Sequence, residues 1–151
     1  MIILHPDCTH MAVCANRYYA GTELRENAVE WTVSLWEKAK QRAERVCMEN
    51  PSSVLFPVLR KLGAEVQYVQ PSQFGHPETK KTGLARHNLD PLKPTWDVTD
   101  IMDTLPDKEK HKVWYASPSE TRGKDRSRSY PGILRAMAAQ WGSAHTGQEH
   151  E

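Results

Sequence analysis

The chain has 151 residues, a length typical of one domain with a core of ordinary size. Its 20 lysines and arginines nearly balance its 19 aspartates and glutamates, so the net charge singles out no class of partner. The three cysteines give no disulfide framework, the first residues form no signal peptide, and no run approaches the roughly 20 apolar residues of a membrane span. These features exclude a disulfide-rich secreted protein and a membrane protein. They predict a soluble protein with free thiols in a reducing cytoplasm.

A short strand and a loop are predicted at the start of the chain. The apolar run from Ile2 to Leu4 stops at the turn formers His5-Pro6-Asp7, and Cys8 and His10 follow at once. The loop continues, mostly polar, to about residue 21. Ligands in open α/β sheets bind where strands end at their carboxyl edge, so Cys8 lies where chemistry is expected.

A helix is predicted from Glu23 to Arg45, followed by a second strand. Helical spacing gives it one apolar stripe, with Trp36 beside the stripe: Ala28, Trp31, Thr32, Leu35, Ala39 and Ala43. The run Val46-Cys47-Met48 predicts the second strand, with Glu49 at its end. Because a helix separates the two strands, they form a parallel βαβ unit, which places Cys8 and Glu49 at the same edge of the sheet.

The rest of the chain predicts a small α/β domain over residues 1–142. Ser52 and Ser53 can cap a second helix that Gly63 ends, and strands over 64–69 and 82–86 form a hairpin. Residues 88–129 are rich in proline and predict an irregular insertion. A last helix is expected from Pro131 to Gly142, with Ile133, Leu134, Met137 and Trp141 on its buried face, and residues 143–151 form a polar tail that we expect to be disordered.

Two arrangements near the start of the chain could carry chemistry. A thiol at Cys8 could attack an electrophilic carbon while the carboxyl of Glu49 donates a proton. Alternatively, Cys8 is an unreactive loop residue and Glu49 a charge at a helix entry. His5, Cys8, His10 and Cys14 offer four soft ligands within ten residues, a set that zinc can bind, although the spacing is not that of a usual zinc knuckle.

Two further stretches could contact nucleic acid. The first runs from Gln73 through a Gly–Pro turn to Lys80 and Lys81, whose charges could lie along a phosphate backbone. In the second, Arg126 and Arg128 precede the last helix, whose first turn could bind a phosphate. This second stretch belongs to residues 108–135, where eight basic residues outnumber three acidic ones. A solvated hairpin and an exposed basic linker are the alternatives.

Four stretches in this order along the chain resemble the motifs of one family. They are Pro6-Asp7-Cys8, Glu49-Asn50-Pro51, Gln73-Phe-Gly-His-Pro-Glu78 followed by Lys80 and Lys81, and Arg126-Ser-Arg-Ser-Tyr-Pro-Gly132 leading into Ala136–Trp141. They are similar to the Pro-Cys loop, the Glu-Asn-Val motif, the Phe-Gly-x-Pro-Gln stretch with its arginines, and the closing segment of the cytosine-specific DNA methyltransferases that modify carbon 5. The resemblance is strongest to the small phage and prophage relatives.

The resemblance implies a role for each motif. Cys8 would add to carbon 6 of a flipped cytosine, and Glu49 would hold the base by ring nitrogen 3 and the exocyclic amine. Lys80 and Lys81 would support the base and the DNA backbone. Extrusion of a base costs a few kcal/mol and requires a snug pocket with polar contacts to the base edge. The resemblance places the protein in the cytoplasm of a bacterial host or a phage-infected cell.

The sequence departs from the family pattern at three points. Asp7 separates the proline from the cysteine, and lysines stand in place of arginines. The eight glycines form no Phe-x-Gly-x-Gly segment, and the first strand corresponds to the family's fourth. We therefore expect a truncated Rossmann-like methyltransferase half-sheet with flanking helices and an irregular C-terminal region. S-adenosylmethionine would bind only where a partner completes the site, and the isolated chain would bind no cofactor.

Other functions remain open from the sequence. The chain could be a non-catalytic phage accessory or anti-restriction protein that binds DNA or a protein partner, or a small zinc-stabilised binding protein. A bare apolar strand at a sheet edge invites pairing with another chain. We therefore expect a homodimer or heteromer formed along the strand Ile2-Ile3-Leu4 or on the face beside it.

Overall fold

A computed structural model of the chain describes residues 1–117 and 127–142. The residue contacts divide the chain into two compact units. The sheet unit comprises Met1–Gln70 and Lys80–Pro91, and the helical unit comprises Pro71–Thr79 and Leu92–Glu151. Across the residues that the structure describes, no helix combines the length and apolar character needed to cross a bilayer.

The sheet unit contains four strands and three helices. The strands are β1 (Ile2–Leu4), β2 (Val46–Pro51), β3 (Glu65–Val69) and β4 (Thr82–His87), and the helices are α1 (Asn16–Tyr19), α2 (Glu23–Arg42) and α3 (Leu55–Lys61). The strand order is β1-β2-β4-β3, with β1 parallel to β2 and with β4 antiparallel to both β2 and β3. The predicted parallel β1–α2–β2 unit and the β3–β4 hairpin are both confirmed, and the class is α/β with a mixed sheet.

The core of the sheet unit lies against the two longer helices. Helix α2 buries Thr32, Trp36 and Ala39, whereas Trp31 is 60 % exposed. The predicted position of Trp31 in the buried stripe is therefore wrong, because the stripe follows the 32–36–39 spacing and leaves Trp31 about 100° away from it. The helix also ends at Arg42, three residues earlier than expected. The core cluster consists of Met11, Trp36, Ala39, Val46, Met48, Leu55, Phe56, Leu59, Ala64 and Ala85.

Strand β2 is longer than the sequence predicts. It continues through Glu49 and Asn50 to Pro51, because β4 pairs with it over six positions. The pairing brings Gly83 opposite Asn50. A Cβ on Gly83 would lie 2.3 Å from the ring of Phe56, so the absent side chain is what allows Phe56 to pack on the sheet. Glu49 thus lies within a strand rather than after one.

The helical unit carries short helices where the sequence predicts irregular structure. Besides a 3-10 turn at Pro71–Gln73, its described elements are α4 (Thr99–Asp103), α5 (Asp107–Lys110), α6 (Lys112–Tyr115) and α7 (Pro131–Trp141). Helices of four or five residues show no full amphipathic period, which is why the pattern does not predict them. The expected disorder of residues 143–151 lies outside the described residues.

The last helix follows its prediction closely. Helix α7 has Pro131 at its first position and ends at Trp141. Its buried residues include Ile133, Met137 and Trp141, as expected, but Leu134 is 41 % exposed. Gly132 is buried instead, and it packs so closely that a Cβ there would lie 2.0 Å from the carbonyl oxygen of Phe74.

Candidate active site

The loop after β1 lies beside the end of β2. The parallel register pairs Leu4 with Met48, so the residues after Leu4 run alongside Glu49 and Asn50. Nδ1 of His5 lies 3.0 Å from Oε2 of Glu49, and Nδ2 of Asn50 donates to the carbonyl oxygen of Pro6 at 3.4 Å. The motif around Glu49 and the loop that carries the candidate nucleophile are therefore in direct contact.

The loop makes a compact turn around the candidate nucleophile. The carbonyl oxygen of Cys8 accepts hydrogen bonds from the backbone N–H groups of Met11 and Ala12, at 3.0 and 2.9 Å. The side chain of Met11 is fully buried in the core. Residues that follow Cys8 are thus anchored in the core, whereas the sequence predicts a long polar loop.

A two-stranded bridge fixes the far side of this turn. Val13 N–H donates to the carbonyl of Ser52 at 2.8 Å, and Val54 N–H donates to the carbonyl of Met11 at 3.0 Å. The hydroxyl of Ser53 donates to the same Met11 carbonyl at 3.1 Å and accepts from Leu55 N–H at the start of α3. The N-cap residue of α3 is Val54, which gives no side-chain cap, so the predicted cap by the serine pair is replaced by the single contact of Ser53 with Leu55, and both serines hold the loop.

A buried arginine on α2 holds the same loop from the other side. Arg25 is 8 % exposed, and its Nε donates to the carbonyl of His10 at 2.7 Å. Its two terminal nitrogens donate to the side-chain oxygen of Asn16 at 2.6 Å and to the carbonyl of Ala12 at 3.3 Å. A rigid guanidinium with several donors suits three acceptors at fixed positions. Arg25 therefore fixes the backbone just beyond Cys8.

The electrostatic surroundings of Cys8 oppose thiolate formation on balance. Burial raises the pKa of the Cys8 thiol, and the nearby Asp7 carboxylate raises it further, while the charge of Lys80 lowers it. Hydrogen bonds from the side chain and backbone of Thr9 hold the pKa of Asp7 below its ordinary value, so this carboxylate is ionised at neutral pH.

The other two thiols differ from Cys8 in exposure. Cys47 is fully buried in β2, and burial raises its pKa to about 12. Cys14 is exposed in the 3-10 turn that follows the loop. Cys8 is partly exposed and is the one that lies in the loop beside Glu49.

The four candidate zinc ligands do not form a cluster. Within residues 1–117 and 127–142, no group of three or more histidine, cysteine, aspartate or glutamate side chains is placed to hold a metal ion. His5 instead pairs with Glu49, and the ring of His10 packs edge-on against Tyr19 with 4.6 Å between centroids. The structure does not support the zinc hypothesis for His5, Cys8, His10 and Cys14.

The residues predicted to contact DNA are divided between the two units. Lys80 and Lys81 belong to the sheet unit with Cys8 and Glu49, and Gln73 belongs to the helical unit. The ammonium of Lys81 lies 4.4 Å from the ring centroid of Tyr68, and this lysine is exposed. The backbone carbonyl of Gln73 accepts from the N–H groups of residues 95 and 96.

A histidine accepts one of the backbone hydrogen bonds of the phosphate site that is predicted at the start of the last helix. Arg126 lies outside the described residues, and Arg128 is exposed in the helical unit. The backbone N–H of Gly132 donates to Nε2 of His76 at 3.0 Å, so a donor that a phosphate would need is already used. A second contact close by joins the hydroxyl of Tyr130 to Glu78 at 2.8 Å.

Sequence reasoning missed several residues that position the loop. Arg25 stands on the buried stripe of α2, seven residues before Thr32 and eleven before Trp36, and a cation on such a stripe is a signal of a buried polar contact. The contact of His5 with Glu49 has a weaker signal, since it depends on the register of β1 against β2. Asn50 is buried, and its Oδ1 has no hydrogen-bond partner among the described residues.

Comparisons with protein-family models, with curated proteins and with solved structures found no match.

Proposed function

We propose that this chain is a DNA cytosine-5 methyltransferase-like protein that carries the catalytic loop and binds DNA. In this proposal Cys8 adds to carbon 6 of a cytosine that Glu49 holds, and a partner chain supplies the site for S-adenosylmethionine. One observation carries the proposal: the parallel β1–β2 pair brings the Cys8 loop into contact with Glu49 and Asn50. These are the two motifs that such a reaction needs side by side.

The residues of the loop suit this chemistry. A thiolate on Cys8 would form the Sγ–C6 bond, and a proton would move to ring nitrogen 3 from the carboxyl of Glu49. The Glu49 side chain is only 9 % exposed, and a carboxylate in so dry a position forms strong contacts with a base edge. The positive charge of Lys80 favours the thiolate.

The strand order also supports the proposal. Strand β4 is antiparallel and lies between β2 and β3. A reversed strand on a doubly wound sheet is common in α/β proteins, so this support is one of fold alone.

We expect the site for S-adenosylmethionine to lie on a partner chain, and the glycines of the described residues support this expectation. The glycines with positive φ are Gly21, which precedes α2, Gly63, which follows α3, and Gly75 in the helical unit. None of them follows the carboxyl end of a parallel strand, where a nucleotide-like cofactor binds. In this proposal the methyl donor therefore binds to a partner chain.

The DNA contacts in this proposal come from four basic residues and one amide. Lys80 and Lys81 would approach the backbone near the flipped base, and Gln73, Arg126 and Arg128 would contact the backbone elsewhere along the DNA. Contacts of this kind release counterions, so binding should weaken steeply as salt is raised.

A non-catalytic DNA- or protein-binding role is the second candidate. One observation favours it: burial and Asp7 both raise the pKa of Cys8, so little thiolate is present at neutral pH. The fold of the loop would then serve to bind a base or a partner without attacking it.

Covalent trapping separates the two roles. The probe is a pool of mismatched DNA duplexes that carry 2-pyrimidinone, a base whose carbon 6 accepts a thiolate without methyl transfer. We expect a covalent adduct on intact protein that Cys8→Ser abolishes and Cys14→Ser retains. Salt-dependent binding without an adduct would favour the binding role, and neither binding nor an adduct would contradict both.

A further inference from the structure

We propose that His5 supplies the proton that Glu49 passes to ring nitrogen 3 of the base, which makes His5 and Glu49 a two-residue proton relay. This inference rests on the proposed function, because it concerns the same addition of Cys8 to cytosine. The resemblance to the methyltransferases assigns no role to His5. The assignment comes from the contact that the structure places between the two side chains.

The geometry of the pair suits proton transfer. Nδ1 of His5 lies 3.0 Å from Oε2 of Glu49, within hydrogen-bond distance. The Glu49 side chain is 9 % exposed, whereas that of His5 is 45 % exposed. His5 can therefore exchange protons with water while Glu49 cannot do so readily. The backbone segments that carry the two residues are held together, because the side chain of Asn50 donates to the carbonyl of Pro6.

The electrons and protons of the addition balance with this relay. Sγ of the Cys8 thiolate bonds to carbon 6, the C5=C6 π pair forms C4=C5, and the C4=N3 pair moves to nitrogen 3. The Glu49 carboxylate takes the Nδ1 proton of the His5 imidazolium and passes it to nitrogen 3. The products are a neutral adduct, a neutral His5 and a Glu49 carboxylate.

Other ionisable groups lie near the three: Asp7, Cys14 and Lys80 act on Cys8, and the buried Cys47 lies near Glu49. The hydrogen bond and the charge of Glu49 raise the pKa of His5, against a smaller opposing effect of burial. The thiol of Cys8 responds to Asp7, Cys14 and Lys80, and burial keeps its pKa above that of His5. The reaction thus requires a protonated His5 and an ionised Cys8 in the same molecule. Because the pKa of His5 is the lower of the two, only a minority of molecules carry both forms at once.

This requirement sets a distinctive pH profile. Below the pKa of His5, the adduct rate rises tenfold per pH unit with the thiolate. Above it, the loss of imidazolium cancels the gain in thiolate, and the rate becomes constant up to the pKa of Cys8. His5→Gln keeps a donor toward Glu49 but has no proton to give, so its rate should continue to rise tenfold per unit.

The experiment measures adduct formation by the full chain with the 2-pyrimidinone duplexes, from pH 6 to pH 9. We expect a plateau in the wild type, none in His5→Gln, and a rate for the variant at least tenfold lower at pH 7. An adduct that depends on Cys8, with the same slope in both proteins, would overturn the relay and leave the proposed function standing. The absence of any adduct in the wild type would overturn both.

A second measurement does not depend on reaction. The pKa of His5, followed by NMR through its ring protons, should fall in Glu49→Gln, because the negative charge that stabilises the imidazolium is removed. Glu44→Gln, an exposed carboxyl in the same unit, is the control and should leave the His5 pKa unchanged. An unchanged His5 pKa in Glu49→Gln would overturn the relay.

Discussion

Arg25 donates from Nε to the carbonyl oxygen of His10 over 2.7 Å, which couples the second helix to the backbone two residues beyond Cys8. The guanidinium also contacts Asn16 and the carbonyl of Ala12, so one side chain restrains three points of the loop. A site held by a buried, rigid side chain is sensitive to substitutions that do not touch the substrate.

Arg25→Lys should weaken both the fold and the site. A lysine keeps the charge but cannot reach three acceptors in fixed directions, so we expect a loss of about 2 kcal/mol in the free energy of unfolding. Urea denaturation measures this loss, and the 2-pyrimidinone adduct should form at least tenfold more slowly at pH 7. Arg42→Lys, at the exposed end of the same helix, is the matched control. Equal stability of the two variants would contradict the role given to Arg25.

Gly83→Ala should destabilise the sheet unit through a clash with Phe56. A Cβ at position 83 would lie 2.3 Å from the ring, and relief of such overpacking costs about 1–3 kcal/mol. Phe56→Leu removes the obstructing ring edge, so the double variant should be more stable than the sum of the two single losses predicts. Urea denaturation of all four proteins tests this coupling, and strictly additive losses would count against it.

The stability of the protein should decrease as pH rises past neutrality. Glu49 raises the pKa of His5 in the folded state, so the protonated pair stabilises the fold below the unfolded pKa of about 6.5. That contribution is lost as pH rises through the folded pKa. Because His5 is half exposed, we expect less than about 1 kcal/mol. Chemical denaturation between pH 5.5 and pH 8.5 should reveal this decrease in the wild type, and His5→Gln should lack it.

Glu78 should prove important for the helical unit. Its carboxylate is 2.7 Å from the ammonium of Lys112 and accepts from the Tyr130 hydroxyl at 2.8 Å. Glu78→Ala leaves that half-buried hydroxyl without its acceptor, which should cost about 1–3 kcal/mol. Glu78→Gln can still accept from Tyr130 and loses only an ion pair with a largely exposed lysine, so its loss should stay below about 1 kcal/mol.

Two measurements test this ranking of the Glu78 variants. Thermal unfolding should place Glu78→Gln close to the wild type and Glu78→Ala well below it, with the exposed Glu109→Ala unchanged. Absorbance titration should give a lower pKa for Tyr130 in Glu78→Gln, since burial and the Glu78 hydrogen bond together raise that pKa. If Glu78→Gln were less stable than Glu78→Ala, the contacts of Glu78 with Lys112 and Tyr130 would not be what stabilises the unit.

The free edge of β1 predicts association with another chain. The structure places β1 at an edge of the sheet, and Ile2 N–H donates inward to the carbonyl of Arg45. Because backbone groups alternate along a strand, Ile3 N–H points to the free side. Ile3→Pro removes that donor without removing a hydrogen bond to β2. It should therefore abolish pairing of β1 with another chain, whereas Ile3→Val should retain this pairing.

Sedimentation tests the edge prediction. We expect the wild type and Ile3→Val to associate at tens of micromolar and Ile3→Pro to be monomeric, with the far-UV circular dichroism unchanged. A monomeric wild type, even with candidate partner chains added, would contradict the prediction.

The sequence predicts those parts of the fold that local patterns determine. The apolar run before His5, the helix before Val46 and the Pro131 start of the last helix each combine periodicity with a stop or start signal. The first strand and the helix that follows it predict a βαβ crossover. The handedness and length of such a crossover place Cys8 and Glu49 at the same edge of the sheet.

What the sequence does not predict depends on distant partners. Glu49, Asn50 and Pro51 are poor strand formers, and they are extended because β4 pairs with them. Arg25 can be buried because its guanidinium donates to three oxygens that lie 9 to 15 residues earlier in the chain. Neither environment is encoded within a local window, so propensity and periodicity cannot reveal it.

The position of β2 has a consequence for how the site exchanges with solvent. Its neighbours in the sheet come from residues 2–4 on one side and residues 82–87 on the other. The carbonyl of Arg45 faces β1, and because backbone groups alternate along a strand, the N–H of Glu49 also faces β1 whereas that of Met48 faces β4. Fraying of the edge strand alone would release the Glu49 amide but not the Met48 amide, so hydrogen exchange at Met48 should report the stability of the sheet unit.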